Sequence, residues 1–87
     1  MLRLEAPVQG LYRRVVNDIA IGGVAIPRGA TVVLRFGAAN RDPAQFADPD
    51  ALALDRRNAR SHRAFGAGPH FCIGNQLSRG ELRIAFD

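Results

Sequence analysis

Two short runs of aliphatic and β-branched residues mark the middle of the chain and predict β-strands. The first run covers Val15–Ile21 and the second covers Thr31–Leu34. Gly22–Gly23 and Pro27–Gly29 lie between them, and short groups of glycine and proline are typical of turns. The central part of the chain is therefore predicted to form β-structure with tight turns.

The last part of the chain predicts an amphipathic helix. It follows a glycine-rich segment that ends at Gly74, and its apolar and charged residues recur with helical spacing. Gly80 falls inside this helix, where a glycine costs about 1 kcal/mol relative to alanine. Close packing of a neighbour at this position would explain a glycine there.

Length and composition limit what the chain can be. It has 87 residues, near the lower end of autonomous domains, and no apolar stretch long enough to span a membrane. All 12 basic residues are arginine, and Ala, Gly and Asp are frequent, a bias that indicates a GC-rich bacterial source. A single cysteine excludes an internal disulfide and is typical of a cytoplasmic protein.

Cys72 is the only cysteine, and it lies in the glycine-rich segment Phe65–Gly74, directly before the predicted helix. Zinc and iron–sulfur sites need three or four clustered ligands, whereas a haem iron can be held by one axial ligand. Backbone N–H groups and the positive end of the helix dipole would stabilise a thiolate here. The segment predicts a thiolate presented to a haem iron; the alternative is a buried cysteine that packs in a turn.

The other residues of this segment suit the same chemistry. Gly66, Gly68 and Gly74 allow positive φ angles and close approach of the backbone to a flat ring. Phe65 supplies apolar surface beside the sulfur, and His70 can reach an acidic group at the edge of the ring. Each residue type therefore has a role at a haem.

The pattern Phe-Gly-x-Gly-x-His-x-Cys-x-Gly in residues 65–74 resembles the haem-binding loop of the cytochromes P450, the haem–thiolate monooxygenases, in its bacterial form. The rest of the chain is similar to the same family in the same order. Residues 1–10 resemble the end of helix K and the segment after it, with Arg3 at the arginine of Glu-x-x-Arg. Residues 39–50 resemble the short helix and irregular meander that precede the loop.

This resemblance implies an α+β fold class, the C-terminal part of the mainly helical P450 fold. The expected order is the end of helix K, a small β hairpin sheet, the meander, the haem-binding loop and the start of helix L. Residues 1–87 are then expected to be an incomplete domain, a C-terminal fragment. The helix K glutamate and the helix over the distal face of the haem are expected to lie upstream of it.

By resemblance, the cofactor is haem b, iron protoporphyrin IX, with Cys72 as the metal ligand. Arg13, just ahead of the first predicted strand, matches the arginine that pairs with one haem propionate, and His70 matches the histidine that serves the other. For Arg13 the alternative is a solvated charge beside a strand. The implied cofactor-binding residues are Arg13, Phe65, Gly66, His70, Cys72 and Gly74, and the implied substrate-facing wall is Val8, Gln9, Gly10 and Leu11.

One position departs from the family pattern. Many members carry a meander arginine that completes a salt-bridge network with the helix K pair, whereas this chain has Ala51 at that position. Arg56 is a candidate replacement. Without the helix K glutamate, Arg3 is expected to lack its ion pair, which would leave this end of the chain loosely attached to the meander.

The resemblance implies a monooxygenase whose complete form inserts one oxygen atom from O2 into a small hydrophobic organic substrate. Two electrons would come from a ferredoxin-type or reductase partner and originally from a nicotinamide cofactor. The 87-residue chain alone is not expected to turn over substrate. The alternatives are a non-catalytic truncated remnant and a small haem-binding protein without the chemistry.

A basic segment directly precedes the loop. Its members lie within residues 56–63, in a chain of net charge +4. A solvated polar surface is one interpretation, and the resemblance implies another, the attraction of an acidic electron donor. Nucleic acid is not expected as a partner, because no aromatic platform accompanies the arginines, and no membrane partner is expected. The residues concerned are Arg56, Arg57, Arg60, His62 and Arg63.

Overall fold

The computed structural model describes residues 1–86 and contains two small antiparallel sheets, a terminal helix and long irregular connections. The predicted mixture of small β-structure and a C-terminal helix is confirmed. Single-turn 3-10 helices cover Ala59–Ser61 and Gly68–His70. The strands and α-helices are β1 (Leu11–Arg14), β2 (Ile19–Ile21), β3 (Val24–Ile26), β4 (Thr31–Leu34), α1 (Phe36–Ala39) and α2 (Asn75–Phe86).

The two sheets are nested along the chain. β1 pairs with β4, with Leu11 opposite Leu34, and β2 pairs with β3 in a hairpin between them. The hairpin turns at Gly22 and Gly23, whose φ angles are 56° and 80°. Two successive residues with positive φ characterise the hairpin turn that matches strand twist, so the predicted glycine turn is confirmed.

The predicted strand Val15–Ile21 is wrong in its first half. The strand that pairs with β4 lies earlier, and the chain leaves it at Val15, which exchanges backbone hydrogen bonds with the Gly29–Ala30 turn at 2.8 and 2.9 Å. Asp18 then accepts a hydrogen bond from the Arg28 N–H through Oδ1 at 2.7 Å. Of the predicted strand, therefore, only Ile19–Ile21 forms a strand, and Val15 and Val16 lie in the connection between β1 and β2.

The meander is irregular, as expected, but its short helix lies earlier than predicted. α1 is a single turn that ends at Ala39, where the predicted segment begins. Asn40 follows it and is fully buried, and its Oδ1 accepts a hydrogen bond from the Arg63 N–H at 2.6 Å. This contact joins the beginning of the meander to the segment before the cysteine loop.

Arg3 lies at the centre of the small interior. Its guanidinium donates to the backbone carbonyls of Asn40 at 2.8 Å, Pro49 at 2.5 Å and Ala51 at 3.1 Å. The same group lies 4.9 Å from the centroid of the Phe46 ring, a cation–π contact, and Arg3 is only 7% exposed. Neither ion pair seen among residues 1–86 includes Arg3, and carbonyl oxygens accept its hydrogen bonds in place of a carboxylate.

This network is rich in donors and short of acceptors. Arg56 donates to the carbonyls of Asp48 and Ala51, so it shares an acceptor with Arg3. Within residues 1–86, Asn40 Nδ2 and Arg56 Nε are buried without a hydrogen-bond partner. Burial lowers the pKa of Arg3, and the charges of Arg56 and Arg41 lower it further.

The chain is flattened, with principal extents of 48 × 29 × 17 Å, so little apolar surface can be enclosed. Among the described residues the buried apolar side chains are Ala6, Val15 and Phe46. Leu77 and Ile84 on α2 are 70% and 82% exposed. None of the helices in this part of the chain is long and apolar enough to cross a membrane.

Replacing Arg3 with methionine tests the importance of this network. Arg3→Met keeps the apolar stem but leaves three carbonyl groups without their donor, so the free energy of unfolding should fall by about 2 kcal/mol. Urea denaturation followed by circular dichroism measures the change. Arg28→Met is the matched control, because the Arg28 side chain is exposed. Equal denaturation midpoints for the two variants would contradict a structural role for Arg3.

Candidate functional site

An apolar cavity of about 630 Å³ lies between the start of the chain, the β1–β4 sheet, the cysteine loop and α2. Its volume falls in the range of small-molecule and cofactor sites, roughly 300–1,000 Å³. Its lining comes from distant parts of the sequence: Met1, Leu2, Glu5, Pro7, Val8, Leu11, Arg13, Leu34, Phe36, Ala64, Phe65, Gly66, Ala67, His70, Cys72, Ser78, Leu82 and Phe86.

The structure brings most of the predicted site residues together around this cavity. Arg13, Phe65, Gly66, His70 and Cys72 all line it, although Arg13 is more than 50 positions from the others in sequence. Gly74, the remaining predicted residue, lies outside the lining. A β-carbon added at Gly74 would lie 3.9 Å from the Cys72 Sγ, so this glycine is next to the sulfur and not next to the cavity.

Two of the three loop glycines predicted to allow positive φ angles adopt them. Gly66 and Gly68 have φ angles of 74° and 70°, in the left-handed region that favours glycine. Gly74 does not adopt a positive φ, so that part of the prediction is wrong.

Hydrogen bonds to its backbone hold Cys72 in place. Its N–H donates to the Phe65 carbonyl at 2.9 Å, and its carbonyl accepts from the Asn75 N–H at 3.2 Å and Asn75 Nδ2 at 2.8 Å. The thiol is free and exposed. α2 begins at Asn75, three residues after the cysteine, so Cys72 lies in the turn that leads into the helix.

Phe65 is the centre of a cluster of rings behind the loop. The Phe71 ring meets it edge-on at 6.3 Å, and the His62 ring is tilted against it at 5.9 Å. The Arg79 guanidinium carbon lies 5.1 Å from the ring centroid. Residues before, within and after the loop therefore contact one aromatic side chain.

Two cationic or hydrogen-bonding side chains lie at the margin of the cavity. Arg13 is inside β1, opposite Val32, and not ahead of the first strand as predicted. Its Nη1 donates to the Tyr12 carbonyl at 2.9 Å. His70 ends the 3-10 turn of the loop, and both side chains are exposed. The mainly apolar cavity thus has polar groups from the sheet and from the loop, in addition to Glu5 and Ser78.

Two of the four residues of the predicted substrate-facing wall line this cavity. Val8 and Leu11 line it, whereas Gln9 and Gly10 do not. The Gln9 side chain turns back to donate to the Ala6 carbonyl. A β-carbon added at Gly10 would lie 2.6 Å from the Leu34 carbonyl oxygen, so close backbone packing requires glycine there.

Several lining residues were absent from the predicted site. Leu34 and Phe36 come from the end of β4 and from α1, and Leu82 and Phe86 lie one turn apart on α2. The i, i+4 spacing on a helix was a usable signal for the last pair. Nothing in the local pattern connects Leu34 or Phe36 with the cysteine loop.

Some residues of the basic segment 56–63 make hydrogen bonds within the fold, and the others are exposed. Arg56 donates to the carbonyls of Ala47 and Asp48, and His62 is half-buried with its Nδ1 accepting from the Ala64 N–H. Arg57, Arg60 and Arg63 are exposed. The exposed positive charge of this segment therefore comes from three arginines.

Comparison with known proteins matches residues 1–87 to the family model described as Cytochrome P450. The chain is 47% identical to a putative cytochrome P450 140 of Mycobacterium tuberculosis over 100% of its own length and 21% of that protein. It is 45% identical to the steroid C26-monooxygenase of Mycolicibacterium smegmatis, over 97% and 21%. The chain therefore spans about a fifth of the length of these relatives.

Solved structures agree with this match. CYP109E1 from Bacillus megaterium in complex with testosterone superposes with a TM-score of 0.90 and 42% identity, over 95% of this chain and 23% of that one. P450BioI in complex with an acyl carrier protein ligated to hexadec-9Z-enoic acid gives 0.92 and 45%, over 97% and 22%. Fold and sequence thus lead to one class, the cytochromes P450. The chain belongs to the cytochrome P450 family.

The half-buried His62 should make stability depend on pH. Burial lowers the pKa of His62, and the charges of Arg79 and the Met1 amino group lower it further. The unfolded chain therefore binds a proton first, below about pH 6.5, and the free energy of unfolding should decrease as the pH falls through that region. Urea denaturation at a series of pH values measures this.

A matched pair of variants isolates the contribution of His62. In His62→Gln, the part of the decrease in the free energy of unfolding at low pH that is due to His62 should disappear. His70→Gln should retain the full decrease. A parent profile that coincides with that of His62→Gln between pH 7.5 and 5 would contradict the assignment.

Proposed function

We propose that this chain is the haem-binding part of a cytochrome P450 monooxygenase and that Cys72 ligates the iron of haem b. The observation that carries the proposal is the shared cavity, which collects a thiol, an aromatic ring and two cationic or hydrogen-bonding side chains in apolar surroundings. These donors fit the group: sulfur for iron, apolar walls for the porphyrin, and Arg13 and His70 for its carboxylates.

The cysteine loop would present the sulfur in a defined direction. The hydrogen bond from the Cys72 N–H to Phe65 and those from Asn75 to the Cys72 carbonyl restrain the backbone on both sides of the thiol. Gly66 and Gly74 keep side-chain bulk away from the ring and from the sulfur. A bound haem supplies the oxygen-activating chemistry that none of these side chains possesses.

Arg13 and His70 would bind the propionates from opposite parts of the chain. Arg13 is carried by the β1–β4 sheet and His70 by the loop, so one cofactor would join two otherwise separate elements. Both side chains are exposed, so each interaction is screened by water and contributes less than a buried pair.

The partners follow from the same assignment. The apolar wall formed by Val8 and Leu11 suits a small hydrophobic organic substrate. The exposed arginines at 57, 60 and 63 suit an acidic ferredoxin-type or reductase electron donor, because opposite charges accelerate encounter.

We assign the complete enzyme to the cytoplasm, where reducing conditions keep a lone thiol available.

The iron ligand is tested by removing the sulfur. The purified chain mixed with haem, reduced and exposed to carbon monoxide should show the strongly red-shifted absorption band of a thiolate opposite the gas. Cys72→Ser should abolish this band, and Ser78→Ala, a change in the same cavity lining, should retain it. The band persisting in Cys72→Ser would refute the ligand, and no haem uptake by the parent chain would favour a non-catalytic remnant.

The propionate partners are tested by haem retention. Arg13→Ala and His70→Ala should each weaken haem binding by about three- to tenfold, the range for one exposed charge-assisted hydrogen bond, without shifting the carbon monoxide band. Transfer of haem to excess apomyoglobin measures retention. Arg14→Ala is the control, since Arg14 neighbours Arg13 but does not line the cavity. A shifted band with unchanged retention would show that the residue acts elsewhere.

A further inference from the structure

Arg79 has no role in the site described so far, yet it occupies a specific place behind the cysteine loop. It lies in the second turn of α2, and its guanidinium carbon is 5.1 Å from the centroid of the Phe65 ring. Both ion pairs seen among residues 1–86 belong to Arg41, so Arg79 takes part in neither. Its described contact is with an aromatic face and not with a carboxylate.

Phe65 contacts both Arg79 and the backbone of Cys72. Its ring faces Arg79, and its carbonyl oxygen accepts the Cys72 N–H at 2.9 Å. A displacement of Phe65 therefore displaces the acceptor that holds the cysteine backbone. The contact also joins α2 to the loop across a segment that contains Gly66 and Gly68, the two positions with positive φ.

The position of Arg79 separates it from the ligand cavity. Phe65 and Cys72 line the apolar cavity, whereas Arg79 and His62 line a second, smaller cavity of about 330 Å³. Phe65 thus lies between the cavity and the guanidinium. Arg79 does not line the space assigned to the cofactor, and its described contact on that side is with Phe65.

We propose that Arg79 is a positioning residue that holds the cysteine loop on α2 through a cation–π contact with Phe65. An exposed contact of this kind is worth a factor of about two to five in a local equilibrium. The contact restrains the loop before any cofactor binds. Its consequence for the iron ligand rests on the proposed function, and the two are tested separately.

The first test uses the haem-free chain and the hydrogen exchange of single amides by NMR. In Arg79→Gln the protection of the Cys72 amide should fall about two- to fivefold. The Val15 amide, which donates to the Ala30 carbonyl in the distant sheet, should be unchanged and serves as the internal reference. Arg83→Gln is the matched control, because Arg83 is an exposed arginine one turn further along α2.

Two further variants separate the contact from a general effect on the helix. Arg79→Lys keeps a cation that can face the ring and should restore most of the protection. In a Phe65→Leu background, Arg79→Gln should cause no further loss, because the ring is already gone. Equal protection in Arg79→Gln and Arg83→Gln, an undiminished loss in the Phe65→Leu background, or an unprotected Cys72 amide in the parent would each overturn the proposal.

The second test uses the haem-loaded chain. The fraction of bound haem that gives the red-shifted carbon monoxide band should fall in Arg79→Gln and recover in Arg79→Lys. An unchanged fraction alongside reduced amide protection would limit Arg79 to the haem-free loop and overturn its role at the ligand. Failure of the parent chain to take up haem would refute the proposed function, and the amide measurements would still decide whether Arg79 holds the loop.

Discussion

The structure depends on one buried guanidinium. Arg3 binds the carbonyls of Asn40, Pro49 and Ala51 and stacks on Phe46, the largest fully buried side chain among residues 1–86. An irregular segment thereby acquires a fixed path. Burial of a charge is costly unless its donors are satisfied, and the lowered pKa of Arg3 reflects that cost. Residues 1–86 are flattened and bury three apolar side chains, so this polar network replaces much of a core.

The ordered meander in turn supports the cysteine loop. Asn40 links the two segments, because its backbone oxygen accepts a hydrogen bond from Arg3 and its side-chain oxygen accepts one from the Arg63 N–H, just before the loop. From Arg63 the restraint continues through Phe65 to the Cys72 N–H and then into α2. The first residues of the chain and the cysteine are thus connected by three hydrogen bonds and the short covalent segment from Arg63 to Phe65, although about 70 positions separate them in sequence.

The cavity lining accounts for part of the apolar surface that is exposed on so small a chain. Val8, Leu11 and Leu34 line the cavity and are each 40% or more exposed. Leu77 and Ile84 lie outside the lining, and their exposure follows from a helix packed on one side only. The chain corresponds to about a fifth of its relatives, in which the same fold is part of a larger body.

The local chemistry of the site was determined by sequence alone. The spacing of Phe65, His70 and Cys72 and the glycines at 66 and 68 specify a turn of fixed shape, because positive φ angles and one lone thiol are local properties. Tertiary structure alone decided that Arg13 in β1 meets the same cavity, that only Ile19–Ile21 of the predicted strand Val15–Ile21 pairs in a sheet, and that Arg3 is satisfied by carbonyls and Arg79 by a ring. Those outcomes depend on partners far away in the chain, and hydrophobic patterning cannot encode which distant acceptor or aromatic face a charged side chain will find.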